Sequence, residues 1–353
     1  MKSRNSSIDM LKFIFAIAIV LFHFGRHRDV NVLQGGYIFV EGFFMITGYF
    51  MMNSVNKSKE KSIGKDTLSF IKHKYLSFAP TLIASVFVAQ VITIVIYRLS
   101  IPSIALDLLN AVTEIVPLQS LGIKGSGLTA VAWYLSAMMI ALLILYPAAR
   151  LLKNSFTRIV CPVLAVSIYG IICTKIGYIN AISEHILPIP VQTGVLRAFA
   201  GICVGCILYD CVKATEKYKA NRLGEVCFLG AEIACLGFIF TVAQFLPKTY
   251  YDFYTIPAFF VLLYSCFGRK SVLTGHFSFD FTKHFGTASL IIYLNHNCWK
   301  YHSELFIRDS AVKSFAIYAS LVLGTCVASA ILAKLLRLLW KSIKKPLKKI
   351  FVG

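Results

Sequence analysis

The chain has 353 residues, of which 57% are hydrophobic and only 15% charged, and it carries a net charge of +20. A soluble domain has nearer a quarter of its residues charged, so these values exclude an ordinary water-soluble enzyme. No polar loop exceeds about 30 residues, which leaves no room for a separate soluble catalytic domain.

Apolar runs long enough to span a bilayer recur along the whole chain. They predict spans at about 8–25, 36–53, 78–98, 131–149, 158–174, 194–210, 228–246, 254–268, 285–300 and 314–336. The expected fold class is therefore an all-α polytopic membrane protein, a single bundle of about ten transmembrane helices. Residues 1–340 form the membrane domain and 341–353 a basic tail. The N-terminus, with Lys2 and Arg4 before an apolar run, resembles a signal peptide. Asp9 and Lys12 interrupt that run and no small-residue cleavage site follows, so it reads as a retained first helix.

Loop charge gives the orientation. One alternating set of loops holds both termini and the stretches at 57–74, 150–158, 213–222 and 269–283. It carries about 26 Lys and Arg against about 9 in the other set. The positive-inside rule then puts both termini in the cytoplasm, with the protein in the cytoplasmic membrane. Lys341, Lys344, Lys345, Lys348 and Lys349 follow the last span directly and face anionic lipid. Because topology explains the positive charge, no nucleic-acid partner is implied. The sequence leaves oligomeric state open.

This topology gives each intramembrane polar residue a depth. His23 lies near the outer end of helix 1, and Glu41 lies in the first two turns of the inward-running helix 2. Trp133 opens the fourth segment, Arg197 sits one turn into the sixth, and Asn295-His296-Asn297 ends the ninth. His23, Glu41, Trp133, Arg197 and His296 are thus expected in one outer layer. Ionisable residues at such depth are costly and mark functional sites or buried partners. Lys12 precedes His23 by eleven residues, about 16 Å lower on the helix and about 20° away around it. The two could line one path from the cytoplasm.

Blander readings compete at each position. A membrane histidine can be a packing residue bonded to a backbone carbonyl. Glu41 can simply neutralise Arg197, Trp133 can be a belt aromatic, and Lys12 can snorkel to the headgroups. Most of the ten cysteines lie in apolar segments, and Cys203-Val-Gly-Cys206 has no second pair at metal-ligand spacing. They read as small packing residues, and no metal is expected. His276 to Asp280 is one residue short of an HxxxxD pattern, Lys124-Gly125-Ser126-Gly127 reads as a flexible turn, and HExxH, Walker A and GxSxG motifs do not occur.

Ile8-Asp9-Met10-Leu11-Lys12-Phe13 through Leu21-Phe22-His23 resembles the opening of the integral-membrane acyltransferase-3 family, ten-helix proteins that O-acylate surface and exported polysaccharides. Phe39-Val40-Glu41-Gly42-Phe43-Phe44 through Thr47-Gly48-Tyr49 resembles its second signature. Trp133-Tyr134-Leu135, Leu196-Arg197-Ala198-Phe199-Ala200-Gly201 and Gly286-Thr287-Ala288-Ser289 to Tyr293-Leu294-Asn295-His296 echo later ones in order. Two positions depart from the family pattern: Lys12 stands where Arg is usual, and Asn295 where Trp is usual. Lysine lacks the forked geometry that suits a phosphate or carboxylate.

The resemblance implies a membrane O-acyltransferase. It would move an acyl group, acetyl in the first instance, from cytoplasmic acyl-CoA to a hydroxyl of a glycan or glycolipid. On this reading His23, Glu41 and His296 are catalytic: His23 as base, Glu41 orienting it, and His296 at the oxyanion. Lys12, Arg197, Trp133 and Asn295 bind the donor or substrate. Either direct attack by the hydroxyl or an acyl-His23 intermediate is compatible with these residues. The competing function is a proton-coupled small-molecule transporter or exporter, which a polar-lined bundle would also suit. Against it stand the paired first and second signatures and the lack of a convincing internal repeat.

Overall fold

The computed structural model describes residues 5–123, 129–186, 191–276 and 282–351. Every regular element among them is helical. In chain order they are α1 (Ser6–Arg28), α2 (Phe39–Lys57), α3 (Ile63–Tyr97), α4 (Ile101–Ile115), α5 (Trp133–Leu152) and α6 (Cys161–Ile176). There follow α7 (Thr193–Ala214), α8 (Arg222–Phe245), α9 (Tyr251–Gly268), α10 (Val272–His276), α11 (Thr282–Asn295) and α12 (Ala311–Phe351). A 3-10 turn at Gly36–Ile38 leads into α2, a π turn at Phe156–Val160 leads into α6, and a 3-10 segment, His296–Leu305, continues α11.

Among the described residues, eight helices are long and apolar enough to cross a membrane: α1, α2 with its leading turn, α3, α5, α6 with its π turn, α7, α8 and α12. Large apolar side chains such as Leu143, Val163, Val166, Leu323 and Ile331 point outward from the bundle. In water such a surface would aggregate; in lipid it is the solvent-facing side. The chain is a multi-pass membrane protein. α9 and α11, with 18 and 14 residues, are shorter but packed into the same bundle, α9 on α8 and α11 on α1.

The helices define two ends. Asn5 caps α1 by accepting from the Ile8 amide at 3.3 Å, and its own amide donates to the Cys266 carbonyl near the close of α9. Lys12 near the start of α1 shares a cavity with the ends of α2, α7 and α9. This is the basic end. At the opposite end, Arg28 closes α1 and donates to Ser314 Oγ and to the carbonyls of Arg308 and Asp309, just before and within the first turn of α12. His23 and His296 lie toward this second end.

The sequence expectations differ from the structure in three places. α3 starts at Ile63, not near 78, because Ser62 accepts from the Lys65 amide and Asp66 sits in the first turn. Its polar first half, expected to be loop, is helix. α4 was not expected: it presents Ile101, Leu106, Leu109 and Val112 outward, while Glu114 turns in to accept from the Thr129 amide at 2.9 Å and its hydroxyl at 2.5 Å. The ninth apolar segment stops being α-helical at Asn295. The Lys124–Gly127 turn and residues 277–280 of the His276–Asp280 stretch lie outside the described residues.

α2 packs most extensively on α7, and glycine makes that crossing possible. A Cβ on Gly205 would stand 2.0 Å from the Met45 carbonyl oxygen, and one on Gly48 would stand 2.1 Å from the Ile202 carbonyl oxygen. The two backbones touch, as small residues permit in membrane bundles. Cys161, Cys203 and Cys206 are buried, and all ten cysteines are free.

Gly205→Ala should destabilise the protein by about 1–3 kcal/mol, the usual cost of overpacking. Gly237→Ala, whose Cβ would meet nothing within 4 Å, should leave stability unchanged. Thermal unfolding in detergent, followed by size-exclusion of the remaining folded fraction, compares the two.

Candidate active site

Glu41 and Arg197 are both fully buried, and they meet. Arg197 Nε donates to Glu41 Oε1 at 2.8 Å, and the Tyr169 hydroxyl donates to Oε2 at 2.5 Å. The guanidinium also reaches the Ala181 and Tyr37 carbonyls, each at 3.4 Å, and lies 5.4 Å from the Trp133 ring centroid. Trp133 is thus a cation–π partner of Arg197, not a belt aromatic alone. Gly201 lets α2 approach: a Cβ there would meet Phe44 Cβ at 2.7 Å and Glu41 Oε2 at 3.2 Å. Glu41 does neutralise Arg197, as the blander reading had it, and both carboxylate oxygens are engaged away from His23.

His23 is brought instead to His296. Their ring centroids are 4.9 Å apart with planes tilted by 52°. His296 is fully buried. Its Nδ1 lies 3.2 Å from the Ile292 carbonyl oxygen. A carbonyl only accepts, so Nδ1 carries the proton and Nε2 keeps a lone pair. Nε2 is buried without a hydrogen-bond partner among the described residues. The backbone carbonyl therefore fixes the tautomer and leaves a base, as a second hydrogen bond does for many functional histidines. The Tyr318 hydroxyl donates to the His296 carbonyl at 3.0 Å and anchors the start of the 3-10 segment.

Asn295, expected at the substrate, is spoken for. Its amide donates to Ser85 Oγ at 3.0 Å and to the Ile291 carbonyl at 2.8 Å, and its Oδ1 accepts from Ser329 Oγ at 2.7 Å. It ties α11 to α3 and α12 and so positions the adjacent His296. His27, whose ring centroid is 6.2 Å from that of His23, is a further polar side chain beside the pair, and Trp299 Nε1 and His302 Nδ1 in the 3-10 segment are buried without a hydrogen-bond partner among the described residues. The sequence reading passed over these. His27 was available from its spacing, four residues after His23 and one turn along the same face.

Lys12 lies toward the other end. Its Nζ is 3.5 Å from Asp9 Oδ1 and 5.2 Å from the Phe50 ring centroid. It lines a cavity of about 580 Å³ together with Lys57, Lys213 and Arg269; Asp9 pairs with Lys12 and Glu216 with Lys213. Lys12 and Phe50 also line a second, narrower cavity of about 200 Å³. Lys74, Ser77, Met138, Phe43, Tyr134 and Tyr293 line it as well. Tyr293 is three residues before His296, with ring centroids 5.9 Å apart. Lys57, Lys74 and Arg269 were visible in the sequence only as loop charge.

Fold and site together define a multi-pass helical membrane protein with a histidine pair, His296 buried and His23 partly exposed, at one end and a basic cavity at the other. Residues 5–334 match the Acyl_transf_3 family, described as an acyltransferase domain. The match covers nearly the whole chain, and the chain belongs to this family: it is a membrane acyltransferase. Among curated proteins and solved structures none matches the chain.

Breaking the buried ion pair should cost more than removing it. Glu41→Ala leaves Arg197 uncompensated and should lose about 3–5 kcal/mol, whereas Glu41→Leu combined with Arg197→Met should recover most of it. His23→Ala should stay within about 1 kcal/mol of wild type. Tm values of the four purified proteins, wild type included, check the order.

Proposed function

We propose that the protein is an O-acyltransferase. It takes a short acyl group, acetyl in the first instance, from acyl-CoA at the basic end and gives it to a hydroxyl of a cell-surface or exported glycan at the histidine end. The observation that carries this reading is His296, whose Nε2 is a buried lone pair held 4.9 Å, ring to ring, from His23. The family supplies acyl transfer, generally to polysaccharides. The excess of Lys and Arg at the basic end supports a cytoplasmic placement of both termini, in a cytoplasmic membrane crossed ten times once α9 and α11 are counted.

The nucleotide and phosphates of CoA would occupy the larger cavity, near Lys12, Lys57, Lys213 and Arg269. Lysine holds a phosphate as a point charge, so Lys12 can serve where an arginine fork is usual. The pantetheine arm would run along the narrower cavity toward Tyr293. Lys12 and His23 are about 16 Å apart along α1, a span that an extended arm covers.

At the pair, the acceptor hydroxyl loses its proton to His296 Nε2 as its oxygen attacks the thioester carbonyl. The N–H of His23 stabilises the developing oxyanion. The new C–O bond forms, the C–S bond breaks, and the CoA thiolate leaves and takes the proton from His296. Glu41 and Arg197 act at one remove, holding α2 and α7 in register. Asn295 positions His296. The basic cytoplasmic end of α12 would face anionic lipid.

Deleting the chain should remove O-acyl ester signals from the surface glycan, read by proton NMR before and after mild alkali. Wild type should restore them, and His23→Ala or His296→Ala should leave them at least about 100-fold lower. An unchanged ester profile with an altered cytoplasmic metabolite pool would point to transport and sink the proposal. Lys12→Met and Arg269→Ala should weaken CoA binding to the purified protein about tenfold or more, measured by calorimetry, while the histidine variants bind CoA normally.

A further inference from the structure

We infer that the narrower cavity, besides taking the pantetheine arm, holds the acyl group at its end and that Phe43, Tyr134 and Tyr293 limit that group to short chains; this rests on the acyl-CoA reading above. The three rings come from α2, α5 and α11, and they close on one another at the inner end of the cavity. Phe43 and Tyr134 centroids are 6.1 Å apart, Phe43 and Tyr293 6.3 Å, and Tyr134 and Tyr293 5.7 Å, with planes inclined by 53° to 72°. Such tilted contacts are a favoured aromatic packing, so the cluster is a coherent plug and not a chance meeting.

The plug is also pinned. The Tyr293 hydroxyl donates to the Val131 carbonyl at 2.9 Å, and the Tyr134 hydroxyl is 3.5 Å from Thr47 Oγ1. Tyr134 further packs on Phe44 at 4.8 Å, next to the buried ion pair's own helix turn. A side chain held at both ring and hydroxyl cannot swing aside freely for a long chain. Beyond the plug stands His296, one helical turn from Tyr293. Tyr293 thus joins the lining of the cavity to the surroundings of His296.

Size points the same way. The larger cavity, about 580 Å³, falls in the range for a whole small-molecule ligand, whereas about 200 Å³ is below it and suits a thin extended arm. Its lining is mixed: Lys12, Lys74 and Ser77 give polar groups, and Phe43, Ile46, Leu290 and Met138 give an apolar wall. Such a lining suits a ligand with both a polar linker and an apolar end. Each extra methylene against a fixed apolar wall changes discrimination about tenfold or more. An acetyl group passes; a chain several carbons longer must displace a ring.

The test uses the full-length protein in lipid nanodiscs and competition against radiolabelled CoA, with unlabelled CoA, acetyl-CoA, butyryl-CoA and octanoyl-CoA as the ligands. In wild type, CoA and acetyl-CoA should compete equally well, and octanoyl-CoA at least about tenfold less well. In Phe43→Ala and Tyr134→Ala, octanoyl-CoA should come within about threefold of acetyl-CoA in the same variant. Tyr134→Phe keeps the ring and should keep the wild-type profile. Phe43→Leu, a smaller change, should relax the profile in the same direction if an alanine variant fails to fold. The inference is overturned if wild type shows no chain-length preference, or if the folded variants bind CoA and retain the wild-type preference. Failure of wild type to bind CoA at all is a different result: it removes the donor reading itself.

Discussion

The buried pair of Glu41 and Arg197 is the constraint around which the bundle is arranged. Neither charge has access to water, so each depends on the other, and on the Tyr169 hydroxyl and two backbone carbonyls, for its neutralisation. A pair that deep tolerates little change in register. It fixes α2 against α7, sets Trp133 over the guanidinium, and draws α6 in through Tyr169. The glycines at 48, 201 and 205 are the steric counterpart: they let two backbones come close enough for the carboxylate and guanidinium to meet. With α2 and α7 so locked, Phe43 and Thr47 on α2 line the narrower cavity together with Lys12.

The chemistry stands slightly apart from this lock. His296 is held by its own helix, through Ile292, and by Asn295 and Tyr318, which bond respectively to α3 and α12 and to the start of the 3-10 segment. His23 arrives on α1. The change from α to 3-10 geometry at residue 296 turns the chain inside the bundle, where an irregular backbone is tolerated because protein surrounds it. A rigid ion-pair scaffold with a histidine pair beside it, and not a single three-residue relay, is the division of labour the contacts support.

Much of this was legible in the sequence. Eight of the predicted spans appear as helices fit to cross a membrane, because an apolar run of about 20 residues has few other uses. The alternation of spans led His23 and His296 to be expected together, and their rings do meet, while eleven residues of helix separate His23 from Lys12. Pairing was less legible. The sequence offered Glu41 two partners, His23 or Arg197, and nothing in one-dimensional spacing decides which neighbour a carboxylate faces. Asn295 read as a substitution within a signature, yet its meaning lies in Ser85 and Ser329, which are far from it in sequence. α4 escaped notice because it is amphipathic and short, with Asp107 and Asn110 breaking its apolar run. The aromatic plug was invisible for a similar reason: Phe43, Tyr134 and Tyr293 belong to three separated helices and look like ordinary membrane aromatics in each.

The central claim is that an acyl group passes through the bundle from the basic end to the histidine end. Proteoliposomes of known orientation, enclosing glycan isolated from the source cells and given radiolabelled acetyl-CoA outside, test it directly. Ester-linked label should appear on the enclosed glycan only when the basic end faces outward. Label that appears equally in both orientations, or in neither, contradicts it.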